Sequence, residues 1–338
     1  MARGDLVRRG MEKQMSFAQA EFAGKKRITR REKFLGDMEK VVPWGRLVGV
    51  VEPHYPKGER GRPPVGIERM LRIYFLQQWY ALSDEALEDA IYDSQAMRSF
   101  AGIDLSVEAV PDATTLLNFR HLLEKHGLTK AIFEQVGAML EEKKLLMREG
   151  TIVDATIIAA PCSTKNQSKE RDPQMHQTKK GNQWYFGMKA HVGADAESGL
   201  IHTVIGTAAN VADVKCAPAL LHGEEKTGYG DAGYTGVEKR QEQSGQAQEI
   251  TWEVALKRGK LKAMAEGEIK DLTQQLERLK ARVRAKVEHG FHVIKNLFGY
   301  RKVRYRGLAK NTAQLHTLFA LANLVLAKNK LLATAHAQ

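Results

Sequence analysis

The feature that most constrains this chain is a change of hydrophobic period at Gly150. Before it, Met70, Leu71, Tyr74, Phe75 and Trp79 recur at three- and four-residue steps, the spacing of one buried helix face. After it, GTIVDATIIAAP is apolar and β-branched over the length of a strand. A chain that switches period in this way builds a helical part and a sheet-containing part. Its 338 residues are about twice the ~150 expected of one domain.

Helix signals punctuate the first part. Ser83 reads as an N-cap with Asp84 and Glu85 in the first turn, Pro111-Asp112 opens a helix that Gly127 ends, and Thr129 is placed to cap the next one through Leu140. Beyond Gly150, YFGMKAHVGAD and LIHTVIGTAA read as two more strands around a turn at Gly193 to Gly199. A helix from about Val211 to Leu221, a short strand before Asp231, a further helix near Val237 to Gln243 and the strand EITWEVAL follow. Long helices close the chain. The polar insert from Cys162 to Trp184 is expected to be a long loop carrying basic and amide groups suited to phosphate contacts.

Charge narrows the function. Lys and Arg number 52 against 40 Asp and Glu, a net charge of +12, and such an excess points to a polyanionic partner. It is concentrated: residues 257–310 hold 16 basic and 5 acidic residues, and the first 37 hold 10 and 5. In the N-terminal block Lys25, Lys26, Arg27, Arg30, Arg31 and Lys33 crowd together in what is expected to be a basic arm. A membrane partner is disfavoured, since the longest apolar stretch, Leu318 to Ala327, is interrupted by Asn323 and is far shorter than the ~20 residues of a span. It reads as a buried C-terminal helix. The N-terminus has no apolar signal core, and the two cysteines, Cys162 and Cys216, form no Cys-x-x-Cys pair, so a cytosolic location is expected.

Three acids stand out. Asp154 interrupts an apolar strand, where a carboxylate is costly unless it is paired or binds a cation. Asp231 lies in the turn GYGDAGY, and Glu288 lies in the basic C-terminal block. On a helical wheel Arg284 falls about 40° from Glu288 and Lys295 about 20° from it, so the three are expected on one face. Two Asp and one Glu gathered by a sheet and a helix could hold two Mg²⁺ or Mn²⁺ ions for phosphodiester displacement. In the same helical stretch Ile269, Leu272, Leu276, Leu279 and Val283 form a seam about 120° away from that face, expected to be domain core rather than a dimer zipper. Residues 228–233 also satisfy GxGxxG with Glu253 twenty residues on, but no apolar strand precedes them and Asp231 would repel a pyrophosphate. The histidines His176, His191, His202, His289 and His292 are expected to be structural or to face phosphate.

RMLRIYFLQQWYALSDEALEDAIYDS, PDATTLLNFRHLLEKH, GTIVDATIIAAP, RDPQMHQTKKGNQWYFGMKAHVG, TAANVAD, GDAGYTG and VEHGFHVIKNLFGYRKVRYRGLAKN together resemble the insertion sequence 5 family of bacterial DDE transposases, over about residues 15 to 327. The resemblance implies an α/β protein: an RNase H-like catalytic domain with a mixed five-stranded sheet at residues 148–330, including a helical insertion at about 257–283. An all-α DNA-binding domain at 36–147 and a basic arm at 1–35 would precede it. It implies Asp154, Asp231 and Glu288 as catalytic and metal-binding residues, with Mg²⁺ or Mn²⁺ as cofactor, as two ions. Arg284, Lys295, Lys179, Lys180, Lys189, Arg27, Arg30 and Arg31 are expected to contact DNA. The expected activity is metal-dependent hydrolysis and strand transfer at terminal inverted repeats, with double-stranded transposon ends and target DNA as partners, by a homodimer or larger oligomer in the bacterial cytoplasm and nucleoid. In the family's Tyr-x2-Arg-x3-Glu-x6-Lys signature the tyrosine position is Ala281 here, and Asp112 to Glu124 is the first choice for a recognition helix. The alternatives are an inactive transposase-derived DNA-binding regulator and a general RNase H-like nuclease.

Overall fold

The computed structural model describes residues 27–58, 63–166, 169–239 and 250–335. Its first part is helical: α1 (Arg30–Val41), α2 (Trp44–Val51), α3 (Ile67–Tyr80), α4 (Asp84–Asp93), α5 (Gln95–Ala101), α6 (Ala113–Lys125) and α7 (Leu128–Glu142). The caps follow the sequence. Ser83 accepts from Ala86 N and Asp112 from Thr115 N, each satisfying an amide that the helix leaves unpaired. Two expectations change. The basic arm does not run to residue 35, because Thr29 and Glu32 form a capping box that starts α1 at Arg30; Lys25 and Lys26 lie outside the described residues. Thr129 is not the N-cap, since α7 starts two residues earlier than that cap requires, at Leu128 after Gly127, whose φ of 64° takes the left-handed turn, and Thr129 is buried.

The sheet contains β1 (Gly150–Ala159), β2 (His176–Lys180), β3 (Gln183–Asp195), β4 (Ile201–Ala208), β5 (Thr227–Gly230) and β6 (Thr251–Val254). The order is β2-β3-β1-β5-β6 with β4 on β3. β3 is antiparallel to β1 and to β4, whereas β5 is parallel to β1 and β6 to β5. The described sheet therefore has six strands where five were expected. The extra one, β2, comes from the polar insert, whose Lys179 and Trp184 face each other across a hairpin. The insert is also tied down at its other end, where Asp172 and Gln174 accept from the amides of Gly307 and Leu308.

Between β4 and β5 the expected helix is one short turn, α8 (Asp213–Cys216), continued as 3₁₀ over Ala217–Leu220. The helix expected near Val237 to Gln243 passes out of the described residues at 240. After β6 come α9 (Arg258–Lys262), α10 (Glu268–Arg284), α11 (Val287–His292), a π-helical turn over Val293–Leu297 and α12 (Leu308–Ala335).

The long helix α12 runs through the middle of the protein, packing on α7, α1 and α3 on one side and on β4 on the other. One continuous apolar cluster extends from Leu35 on α1 to Leu331 on α12, so burial does not divide at the change of period. Polar side chains on α12 fix its register. Gln314 donates to Gln78 at 2.9 Å, Thr317 bonds the Tyr74 hydroxyl at 3.1 Å, and Asn323 bonds both backbone groups of Ile201. No helix among the described residues is long and apolar enough to cross a membrane.

The seam on α10 departs most from expectation. Ile269, Leu272, Leu276 and Leu279 are 75%, 57%, 49% and 56% exposed, so they are not domain core; only Val283, at the end of the seam, packs against the core. The reason is local. α10 is held to β6 through its polar side: Glu277 accepts from Leu256 N, and Lys280 pairs with Glu253.

Candidate active site

Asp154 and Asp231 are brought together by the sheet. β1 and β5 run parallel with Thr151 opposite Gly228 and Ile152 opposite Tyr229. Carried two residues further, that register sets Asp154 level with Asp231 across a strand gap of about 4.8 Å. Asp154 Oδ1 accepts from Ala155 N at 2.7 Å. Asp231 leaves the strand and caps the 3₁₀ turn Ala232–Tyr234, its Oδ1 accepting from Gly233 N at 2.8 Å. The glycines of GYGDAGY serve this geometry. A Cβ on Gly228 would lie 2.7 Å from the Trp252 ring, and one on Gly230 would lie 2.9 Å from Tyr234 Cβ. The Gly233 amide is already held by Asp231, whose carboxylate stands where a pyrophosphate would have to sit, so the turn does not suit a dinucleotide.

Glu288 arrives from the other direction. The single helix drawn on the wheel is interrupted: α10 ends at Arg284, a turn at 285–286 intervenes, Glu288 lies in the first turn of α11 and Lys295 lies in the π-helical turn. Gly290 does not break α11; it is buried against Ile201, 3.2 Å from where a Cβ would stand. The three side chains still converge, because α11 packs on β1. Burial, in the first place, and repulsion from Asp231 and Glu288 push the Asp154 carboxyl up to about 7, while the Ala155 amide and Arg284 oppose the shift. Asp154, Asp231, Glu288 and Arg284 therefore share one electrostatic site. Glu288 is exposed and Asp154 is half-buried, so the site opens outward on the Glu288 side, where β5 ends beside the middle of β1.

Lys295 adjoins this site and is engaged within it. Its ammonium donates to Thr156 Oγ1 at 2.6 Å and to Ile157 O at 2.8 Å. Thr156 shares a strand face with Asp154. Burial lowers the Lys295 pKa, Lys180 and Arg301 lower it further, and Glu288 opposes them. Lys180 is thus close to the site from the β2 hairpin, and Lys179 stands 6.0 Å over the Trp184 ring; both lysines are exposed.

The other expected DNA contacts disperse. Lys189 stands in an ion pair: its side chain is only 12% exposed and its ammonium holds Asp213 and Val211 O, each at 2.8 Å. Arg31 stacks 5.1 Å over Tyr80 and donates to Ser94. Arg27 and Arg30 are exposed beside the start of α1, in the helical part.

Sequence reading passed over two residues. Tyr234 is 1% exposed, and its hydroxyl has no hydrogen-bond partner among the described residues. Burial pushes this phenol up, with Asp154, Asp213 and Asp231 adding to the effect. Asp213 is the second. Their sequence signals are GDAGY, which carries Tyr234, and TAANVAD, which carries Asp213.

The family described as Transposase DDE domain matches residues 146–324, more than half of the chain. The chain belongs to the DDE transposases. A second transposase domain, DUF772, matches residues 22–122 and so falls on the helical part. No solved structure matches the chain. Membership makes DNA the substrate and divalent-metal use the family habit, and the donor set of this transposase fits that habit. Asp154, Asp231 and Glu288 offer hard oxygen donors, and Asp231 and Glu288 both repel Asp154, a cost that a shared divalent cation relieves.

Another group needs separating from this site. His202, His222 and Glu225 bring three potential ligand atoms within 4.8 Å of one another. They lie beside Thr151, on the opposite face of β1 from Asp154. Thr151 donates to Glu225 Oε1 at 2.9 Å and bonds His202 Nε2 at 3.0 Å, while the amides of His222 and Gly223 donate to the two Glu225 oxygens. Burial holds His202 at about 3, so the imidazole is neutral. This hydrogen-bonded chain fastens the start of β1 to the loop before β5.

Proposed function

We propose that this transposase belongs to the insertion sequence 5 family, binds the terminal inverted repeats of its element, cuts phosphodiesters there and joins the freed 3′ ends to target DNA. The observation that carries the reading is the convergence of Asp154, Asp231 and Glu288 from two adjacent parallel strands and a facing helix. The strand order β4-β3-β1-β5-β6, antiparallel on one side of β1 and parallel on the other, supports an RNase H-like catalytic domain.

Asp154, Asp231 and Glu288 would hold Mg²⁺ or Mn²⁺, as two ions. Bound there, the ions supply charge stabilisation to the attacking and leaving oxygens of an in-line displacement. The chain's own groups do the rest. Asp154 is placed deep and Glu288 at the mouth, so a phosphodiester enters from the Glu288 side. Arg284 offsets the carboxylate field there. Lys295 keeps the end of β1 in place through Thr156 and adds positive charge next to Glu288. Lys179, Lys180 and Trp184 on the hairpin offer two cations and an exposed ring beside the opening. In the helical part, α6 exposes Thr114, Asn118, His121 and Lys125 along one side, a polar stripe suited to reading base edges.

The experiment is incubation of the protein with labelled duplexes carrying the DNA that flanks its own gene. Mg²⁺-dependent nicking at the element boundary, followed by joined products, is the expected result. Binding with no strand cleavage under any divalent cation would replace this reading with that of a DNA-binding regulator. Cleavage with no preference for the flanking sequence would favour a general nuclease.

A further inference from the structure

Helix α10 is amphipathic with its faces reversed. Toward β6 and the strand ends it turns Gln274, Glu277 and Lys280; the Glu277 and Lys280 side chains are only 15% and 13% exposed, and they are engaged with each other, with Glu253 and with Leu256 N. Outward it turns Ile269, Leu272, Leu276 and Leu279, each about half exposed or more. Their spacing of three, four and three residues is that of a helix-pairing seam. A surface helix folding for itself alone would bury this stripe and solvate the other. Here polar contacts fix the helix so that its apolar stripe faces away from the rest of the described residues, as an interface requires.

We infer that this stripe is the seat of a second copy of the chain, the two α10 helices pairing antiparallel about a two-fold axis. The flanking charges select both the occupant and the direction. Glu268, Gln275 and Arg282 border the stripe on one side, and all three are exposed. With Leu272 set against Leu276 of the second copy, Ile269 meets Leu279. Glu268 then lies beside Arg282 of the second copy, this pair forms twice, and Gln275 meets its own equivalent near the axis. Parallel pairing instead sets Glu268 beside Thr273 and Gln275 beside Lys280, which is already held by Glu253. A self-complementary patch of this kind is what a closed two-fold dimer needs. The paired segment spans about 25 Å and covers less than the ~1,600 Å² of a standard interface, so the dimer is reversible and depends on concentration. The α11 segments bearing Glu288 then stand at opposite ends of the pair. The inference rests on the packing of α10 and is independent of the proposed reaction.

The test is sedimentation velocity of the full chain without DNA or divalent metal, from about 1 to 100 µM, with circular dichroism to verify folding. A monomer–dimer equilibrium is expected, and Leu272→Asp with Leu276→Asp should weaken it by about 100-fold or more while leaving the helical signal unchanged. Glu268→Arg or Arg282→Glu alone should weaken association several-fold, and the two together should restore it. A parent chain that stays monomeric throughout overturns the inference, as does a dimer indifferent to the leucine substitutions. A monomeric parent that unfolds when the leucines are replaced means that the chain's own residues cover the stripe, and this also overturns it. Failure of the double charge reversal to restore association overturns the antiparallel arrangement.

Discussion

The ammonium of Lys295 donates to the Thr156 hydroxyl at 2.6 Å, two residues along β1 from Asp154. This bond joins the π-helical turn to the strand carrying the first acid of the site. Lys295→Met should therefore lower strand cleavage by about 10- to 100-fold through a displaced β1 end and lost positive charge. Thr156→Val, which keeps the ammonium, should cost less. Single-turnover cleavage by the two variants checks this ordering.

Asp154 also makes stability depend on pH. The folded chain keeps the Asp154 proton up to about pH 7, whereas the ordinary carboxyl releases it near 3.8. Between those values the folded state binds more protons than the unfolded state, so stability falls as pH rises, by up to about 4 kcal/mol across the window. In metal-free buffer Tm should drop from pH 5 to pH 8. Asp154→Asn should flatten that slope, and Mg²⁺ should raise Tm at pH 8 in the parent far more than in the variant.

Asn323 is buried and closes two hydrogen bonds on Ile201, donating to its carbonyl at 2.7 Å and accepting from its amide at 2.9 Å. Replacing it with leucine would leave both backbone groups of Ile201 without partners inside the core. A loss of roughly 2 to 5 kcal/mol is expected in urea unfolding, even though the substitution makes α12 more apolar.

Arg120 is 7% exposed, lies 2.6 Å from Asp84 and stacks 4.8 Å over Tyr305. It thereby links α6 and α4 to the segment leading into α12. Arg120→Met should destabilise by about 1 to 3 kcal/mol, because Asp84 loses its ion pair but keeps the Gln77 amide at 2.6 Å and partial exposure. Adding Asp84→Asn should recover part of the loss, which a double-mutant cycle in urea would measure.

The period change at Gly150 and the caps at Ser83 and Asp112 were legible because each is a local pattern with one physical solution. Asp154 stood out in the sequence because an Asp amid Ile and Val is expensive without a purpose. The ion pair of Lys189 was not legible because a lysine on a strand looks alike whether it points at solvent or at Asp213, and the β3–α8 packing makes the pair. The α10 seam was misread for a related reason. Three-and-four spacing says that a stripe is buried but not by what, and the contacts of Glu277 and Lys280 turn it outward. Asn323 appeared only as an interruption of an apolar run, because its partner Ile201 is 122 residues away in sequence.

The most direct measurement is single-turnover cleavage of labelled element-end DNA in Mg²⁺ by Asp154→Asn, Asp231→Asn and Glu288→Gln, each first verified as folded and able to bind the same DNA. If these carboxylates form the active site, each variant should bind normally and lose about 10³-fold or more in rate. Cleavage and joining within tenfold of the parent by any of the three would contradict the assignment.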